Sequence, residues 1–374
     1  MITTNYFRQS IFNKDFLMGF IFNFPIFLAG VNNISVSLLI ISLFFVFHKR
    51  FLNKKFLEIF IFITGLTIFS FVVTSFNNLN YAGTYKIGIF YVTLSYCLFF
   101  IASISKIEMF LKGYLLCTMA FFIFLSFNFE GINIDDRLNT ENMNPIWIGR
   151  LAGFAIIIIA FLKNLRFKYL YVLLCTIIIL LSGSKGPILA LLFVLFISNL
   201  ITTKLKIFIL IFILVLSVYL YNTYDFVKLF FDDRLLTFNP NSEYLFDRIE
   251  GDRLDIYFVS IPNFFNNFFN NFFSSIFGYG LNNTVYLYKS NFLSYRWYPH
   301  NIMLEILFEY GILGFSLFVY LFVKALKIIK SSIAFYGIIF FFICAQFSGD
   351  NPLNWMLFFF IIYAFFNNKI EFIK

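Results

Sequence analysis

His300 stands in Tyr298-Pro299-His300-Asn301, directly ahead of an apolar run, and is one of two histidines in the chain. An imidazole changes charge near neutral pH, so a histidine here is suited to taking or giving a proton. Arg253, in Gly251-Asp252-Arg253-Leu254-Asp255, supplies a planar fork of donors, and Lys185, in Ser182-Gly183-Ser184-Lys185-Gly186-Pro187, supplies a point charge. Both side-chain types bind phosphate oxygens and stabilise negative charge growing on a leaving group. Arg150 lies one turn inside the apolar run after Pro145, where a lone charge in a membrane costs about 3 kcal/mol. The competing role for these bases is ion pairing with Glu305, Glu309, Asp350 or the acids of a long polar segment. That role is favoured for Arg150, and substrate contact for Lys185 and Arg253. The second histidine, His48, sits in a basic turn with Lys49 and Arg50 and reads as solvated.

The elements that carry these residues are helices in a membrane. The chain is 61% hydrophobic and 13% charged, where soluble domains carry about a quarter charged residues, so a soluble globular protein is excluded. On a helix turning about 100° per residue, Leu307, Gly311 and Gly314 return to within roughly 40° of His300. The expectation is therefore one continuous helix with an imidazole above a glycine-smoothed face, and Glu305 and Glu309 turned away. Those two acids are one turn apart, and structural pairing is the favoured role over proton carriage. The net charge of +9 does not signal nucleic acid, because the bases flank apolar spans, which is how orientation is set in membranes. Cys97, Cys117, Cys175 and Cys344 lie in apolar runs without paired spacing, which implies core packing and neither a disulfide framework nor a metal site. A cleavable signal peptide is not expected, since the first apolar span follows Lys14 and Asp15 without a small-residue cleavage site.

About 20 apolar residues cross a bilayer as a helix. On that basis the expected spans, some short, are Phe16 to Gly30, Ile34 to Phe47, Phe56 to Ser75, Ile87 to Ser105, Ile107 to Phe127, Ile146 to Leu162, Lys168 to Leu181, Pro187 to Ile201, Ile207 to Tyr221, His300 to Val323, Ser332 to Phe347 and Leu353 to Phe366. The expected fold is all-α, polytopic, with about twelve transmembrane helices in a single domain over residues 1–374. With the N-terminus inside, basic clusters such as Lys49, Arg50, Lys54 and Lys55, or Lys163, Arg166 and Lys168, fall in cytoplasmic segments. Both termini are then cytoplasmic, and Trp147, Trp297 and Trp355 lie at outer span ends, as an interfacial aromatic belt requires.

Two external segments interrupt the spans: Asn128 to Pro145, and the much longer Asn222 to Pro299. Within the second, Asn263 to Phe273 repeats Phe-Phe every four residues, which places a phenylalanine stripe opposite an asparagine stripe on a helix. The expectation is an amphipathic helix on the membrane surface, closed by a turn at Phe277-Gly278-Tyr279-Gly280. The alternative is low-complexity drift in an AT-rich gene. The long segment is acidic on balance, so a phosphate site there depends on a few placed cations. Three cations and an imidazole on one membrane face are what a lipid-linked diphosphate needs.

On these residues the chain resembles the bacterial O-antigen polymerase and O-antigen ligase superfamily. His300-Asn301, Gly311 and Gly314 satisfy the ligase pattern of His-Asn/Ser/Gln, nine residues, Gly, two residues, Gly/Tyr/Thr after a large periplasmic loop. Gly251-Asp252-Arg253-Leu254-Asp255-Ile256-Tyr257 is similar to the family's Gly-x-Arg-Leu-x-x-Tyr/Trp segment, and Gly278-Tyr279-Gly280 follows it at a suitable distance. Ser182-Gly183-Ser184-Lys185-Gly186 looks like its Ser-x-Ser/Thr-Arg-Gly/Ala hairpin, with lysine where arginine is usual.

The resemblance implies a multi-pass protein of the bacterial inner membrane, acting at its periplasmic face. It implies a metal-independent, inverting glycosyl transfer from an undecaprenyl-diphosphate-linked oligosaccharide, without a cofactor and without nucleic acid as a partner. His300 and Arg253 are the catalytic candidates. Lys185, Arg253 and Arg150 are the candidates for holding diphosphate, and Asn301, Gly311, Gly314 and Glu305 are supporting. A chain-length regulator is a possible protein partner. Polymerase and ligase differ in acceptor, another lipid-linked repeat unit or the lipid A core. The heavy use of Phe, Ile, Asn, Lys and Tyr suggests an AT-rich coding sequence, which is typical of surface-polysaccharide gene clusters and favours the polymerase. A polysaccharide-unit flippase or other transporter is the alternative from a different class, suggested by the many spans and the two intramembrane glutamates. Against it stand the single long external loop and the absence of an evident internal repeat.

Overall fold

The structure is a computed structural model. It describes residues 13–23, 54–76, 81–127, 145–162, 165, 167–198, 202–223, 261–262, 264–266, 272–281, 301–330, 332–347 and 354–367. Among the described residues the regular elements are helical, with no strand. They are α1 Lys14–Asn23, α2 Lys54–Phe76, α3 Tyr81–Ser103, α4 Ile107–Phe127, α5 Pro145–Phe161, α6 Lys168–Leu181, α7 Lys185–Ile197, α8 Thr203–Thr223, α9 Phe272–Phe277, α10 Ile302–Ile328, α11 Ile333–Ala345 and α12 Trp355–Phe366. Helices are the economical choice for such a sequence, because each backbone N–H and C=O finds its partner within the segment and none is left facing hydrocarbon. Four of them are long and apolar enough to cross a bilayer: α2, α10, and the stretches Lys86–Ser103 and Ile107–Leu125 within α3 and α4. Several others, α5, α6, α7, α11 and α12, are shorter apolar helices. The expected span Ile34 to Phe47 lies outside the described residues.

The chain divides into two compact units. The first comprises residues 1–51, 99–235 and 331–344, and the second residues 52–98, 236–330 and 345–374.

In the first unit α1 and α4 pack backbone to backbone. A Cβ on Gly19 would fall on the Phe110 carbonyl, and one on Gly113 on the Phe16 carbonyl. Small residues make such an approach possible between apolar helices that have no water to expel. Asp15 then accepts hydrogen bonds from the Ser105 and Lys106 amides, at 3.0 and 2.9 Å, satisfying donors at the start of α4. The centre of this unit is α5, buried along nearly its whole length. Its Phe154 ring meets Tyr114, Phe340 and Phe341, and Gly153 lets α6 approach through Ile179. All four cysteines are buried free thiols, in keeping with packing as their role.

In the second unit Phe358 of α12 is an edge-on hub for Phe90 of α3 and Phe318 of α10. Lys55 donates to the Phe366 carbonyl at 3.2 Å, so the basic start of α2 caps the end of α12.

One expectation changes here. Helix α10 is not continuous: Gly311 has φ 66° and ψ −170°, and two helical segments meet there at a kink. Extrapolating one helical phase from residue 300 to Gly314 therefore fails beyond residue 310, and Gly311 is a break, not a smooth patch. Of the phenylalanine stripe's described residues, Phe265, Phe272 and Phe273 are exposed and Phe264 is buried. Phe264 is fully buried against Tyr279 and Phe308, while Phe273 and Phe277 turn their rings to Phe76 and Phe69 of α2. Residues 263 and 267–271 of the stripe lie outside the described residues.

Candidate functional site

In the first unit, the tight connection between α6 and α7 presents Lys185. Gly183 takes φ 60°, a conformation open to glycine at little cost, which lets the chain reverse within two residues. Ser182 stays in the αR region and donates its hydroxyl to the Ile179 carbonyl at 2.7 Å. Ser184 occupies the N-cap position of α7 without a side-chain cap, and Lys185 is the first helical residue, half-buried. A cation on the first turn adds to the positive end of the helix dipole, and the two together favour an anion there.

The first turns of α5 lie against this connection. A Cβ on Gly149 would meet the Ser182 hydroxyl at 2.6 Å, with Ser184 and Pro187 at 3.3 Å. The neighbouring residue, Arg150, is only 2% exposed. Its guanidinium donates to the Cys344 carbonyl at 3.3 Å and lies over the Trp147 ring at 5.4 Å. These contacts bring Arg150 and Lys185 onto adjoining elements of one unit. They also show how a charge is tolerated in so apolar a helix, by a carbonyl and an aromatic face.

In the second unit, Asn301 is the N-cap of α10. Its side-chain oxygen accepts from the Met303 and Leu304 amides at 3.0 and 3.2 Å. That gives the His-Asn pair a physical logic, since asparagine satisfies the helix's first donors beside the histidine that precedes it in sequence. His300 and Arg253 themselves lie outside the described residues.

The break at Gly311 frees two carbonyls, and the Gly278-Tyr279-Gly280 turn takes them. The Tyr279 amide donates to the Phe308 carbonyl at 2.9 Å and the Gly280 amide to the Glu309 carbonyl at 3.0 Å. Gly278 and Gly280 both have positive φ, 91° and 88°, and a Cβ on Gly311 would fall on the Ile276 carbonyl. On its other side the turn rests on α2, where the Leu281 amide donates to the Thr74 hydroxyl at 3.2 Å. The glycines of these two motifs are thus one joint.

Sequence reasoning overlooked Lys86. This residue of α3 is 5% exposed, and its ammonium binds Glu305 Oε1 at 2.7 Å and Glu309 Oε1 at 2.6 Å. The signal was available: a lysine among apolar residues needs a buried acid, and two acids spaced four apart on another span expose both to one cation. The expected structural pairing of Glu305 and Glu309 therefore has its partner.

Residues 170–319 match the family model described as O-antigen ligase, a stretch running from α6 into the second segment of α10. No match was found among curated proteins. The matched residues include Lys185, Arg253, His300, Asn301, Gly311 and Gly314. The match supports the O-antigen polymerase and ligase superfamily.

Proposed function

On the premise that residues 170–319 belong to the O-antigen polymerase and ligase superfamily, we propose that this multi-pass membrane protein is an O-antigen polymerase. It joins undecaprenyl-diphosphate-linked repeat units at the periplasmic face of the bacterial inner membrane, in a metal-independent, inverting reaction. The acceptor hydroxyl attacks the anomeric carbon of the donor glycan as the bond to the diphosphate oxygen breaks. The hydroxyl proton passes to His300, and the electron pair leaves with undecaprenyl diphosphate. Arg253 and Lys185 stabilise that leaving charge, Lys185 with the help of the α7 dipole. Arg150, bonded to Cys344 and covered by Trp147, braces α5 beside the Lys185 turn and is less exposed than Lys185. The family match over residues 170–319, which spans the motif residues, supports glycan transfer, and the choice of polymerase rests on the AT-rich coding sequence that the composition suggests.

Ligase activity, with the lipid A core as acceptor, is the second reading, favoured by the description of the family model itself. A transporter has less support, because both of the glutamates that suggested one are held by Lys86. The lipopolysaccharide of a deletion strain separates the first two readings: core capped with a single repeat unit means a lost polymerase, and bare core would overturn that choice in favour of the ligase. With purified protein and lipid-linked repeat units, chain growth without movement of donor across a vesicle separates either from a transporter.

A further inference from the structure

The segment Ile302–Tyr310 of α10 is short, and the Gly311 break uncouples it from the longer segment that follows. An unbroken helix would inherit its rotation and height from its far end. This one cannot, so its orientation depends on local attachments. One is the Gly278-Tyr279-Gly280 turn, bonded to the Phe308 and Glu309 carbonyls at the segment's C-terminal end. Another is Lys86, whose single ammonium bonds Glu305 and Glu309 one turn apart. Two bonds from one point to two positions along the segment restrain both its rotation and its sliding. Glu305 lies in the first turn, on the amide that donates to the Asn301 carbonyl at 2.9 Å. Asn301 in turn neighbours His300 in sequence.

We propose that Lys86 is a positioning residue for glycan transfer: by holding Glu305 and Glu309 together it sets the orientation of the segment 302–310 and, through the Asn301 cap, of the catalytic end of α10. The inference rests on the transfer reaction proposed above. Lys86 does not touch substrate. Its contribution lies in turnover, because a reacting group displaced by about 1 Å costs on the order of 10²-fold in rate while donor binding elsewhere is untouched.

The experiment uses the full-length protein in detergent or nanodiscs with lipid-linked repeat units. Lys86→Met alone strands two buried acids and would fold poorly. The informative variant is the neutral triple Lys86→Met/Glu305→Gln/Glu309→Gln, which keeps side-chain size without charge. We expect it to be monodisperse, with kcat lowered at least about 10-fold and KM for the lipid-linked donor within about twofold of the unaltered protein. In a His300→Ala background the same triple change should add less than about twofold further loss, since the two changes would remove one function. Unaltered kcat, a loss confined to KM, or a loss that multiplies fully with His300→Ala would overturn the positioning role. If the triple variant does not fold, Glu305→Gln decides: it leaves Lys86 with Glu309, and a kcat at the unaltered level would overturn the proposal, whereas a loss of about threefold or more at constant KM supports it. Failure of the broader reading looks different. The unaltered protein would then build no glycan, or His300→Ala would build it at full rate.

Discussion

At the level of single residues, the proposed chemistry is divided between a proton acceptor and cations that meet a leaving diphosphate. His300→Ala and Arg253→Ala should each slow chain growth by at least about 10²-fold, the size expected when a general base or a charge-stabilising group is removed. The measurement is turnover of purified lipid-linked repeat units, and full polymer formation by either variant removes that residue from the site. Lys185 differs in kind, since an ammonium binds phosphate as a point charge and a guanidinium as a fork. Lys185→Arg should therefore retain chain growth within a few-fold and Lys185→Ala should lower it about 10-fold or more. An alanine variant with unaltered turnover would show that the α7 N-terminus does not hold the diphosphate.

The elements explain why glycines recur in both motifs. Gly311 breaks α10 with a backbone conformation that side chains other than glycine rarely adopt, and the carbonyl of Ile276 fills the space where a Cβ would go. Gly278 approaches the Glu309 carbonyl in the same way. Gly311→Ala and Gly278→Ala should each cost about 1–3 kcal/mol from the strained backbone alone, with more from the clash. Their thermal unfolding in detergent should shift downward relative to Gly65→Ala, a helical position of α2 where a Cβ would meet nothing within 4 Å. Equal stability of all three would contradict the joint between turn and break. The Asn301 cap gives a milder test: Asn301→Ala should lose about 1 kcal/mol, and Asn301→Ser much less, because serine caps nearly as well.

For the molecule as a whole, the governing constraint is that polar groups in an apolar bundle must find partners inside the protein. Among the described residues the largest such group is the triad of Lys86, Glu305 and Glu309, and removing its lysine alone should destabilise by about 3–5 kcal/mol, the usual consequence of leaving buried charge uncompensated. The neutral triple variant should recover much of that loss, as replacement of a whole buried ion cluster often does. Comparing the unfolding of the two variants measures the difference. Orientation in the membrane is tested separately. In a background lacking the native cysteines, a cysteine placed between residues 230 and 245 should react with an impermeant maleimide in spheroplasts, while one beside Arg166 should not. The reverse pattern would invert the proposed periplasmic site.

The sequence by itself determined that the chain is helical and membrane-embedded, because composition and span length admit few other solutions. It also determined the motifs, since the spacing of His300, Asn301, Gly311 and Gly314 survives as a string of letters. It placed Glu305 and Glu309 in structural pairing, but the base it favoured for pairing with acids such as these was Arg150. Only the tertiary structure decided that Lys86 is their partner, since α3 and α10 are more than 200 residues apart along the chain and no local pattern encodes their contact. It also decided what the glycines do. Helical periodicity assumes a continuous helix, and at Gly311 the helix stops because a distant turn supplies hydrogen bonds for the carbonyls it releases. The opening picture of an imidazole over a smooth glycine face thus gives way to a short capped segment, clamped by a loop at one end and by one lysine along its side.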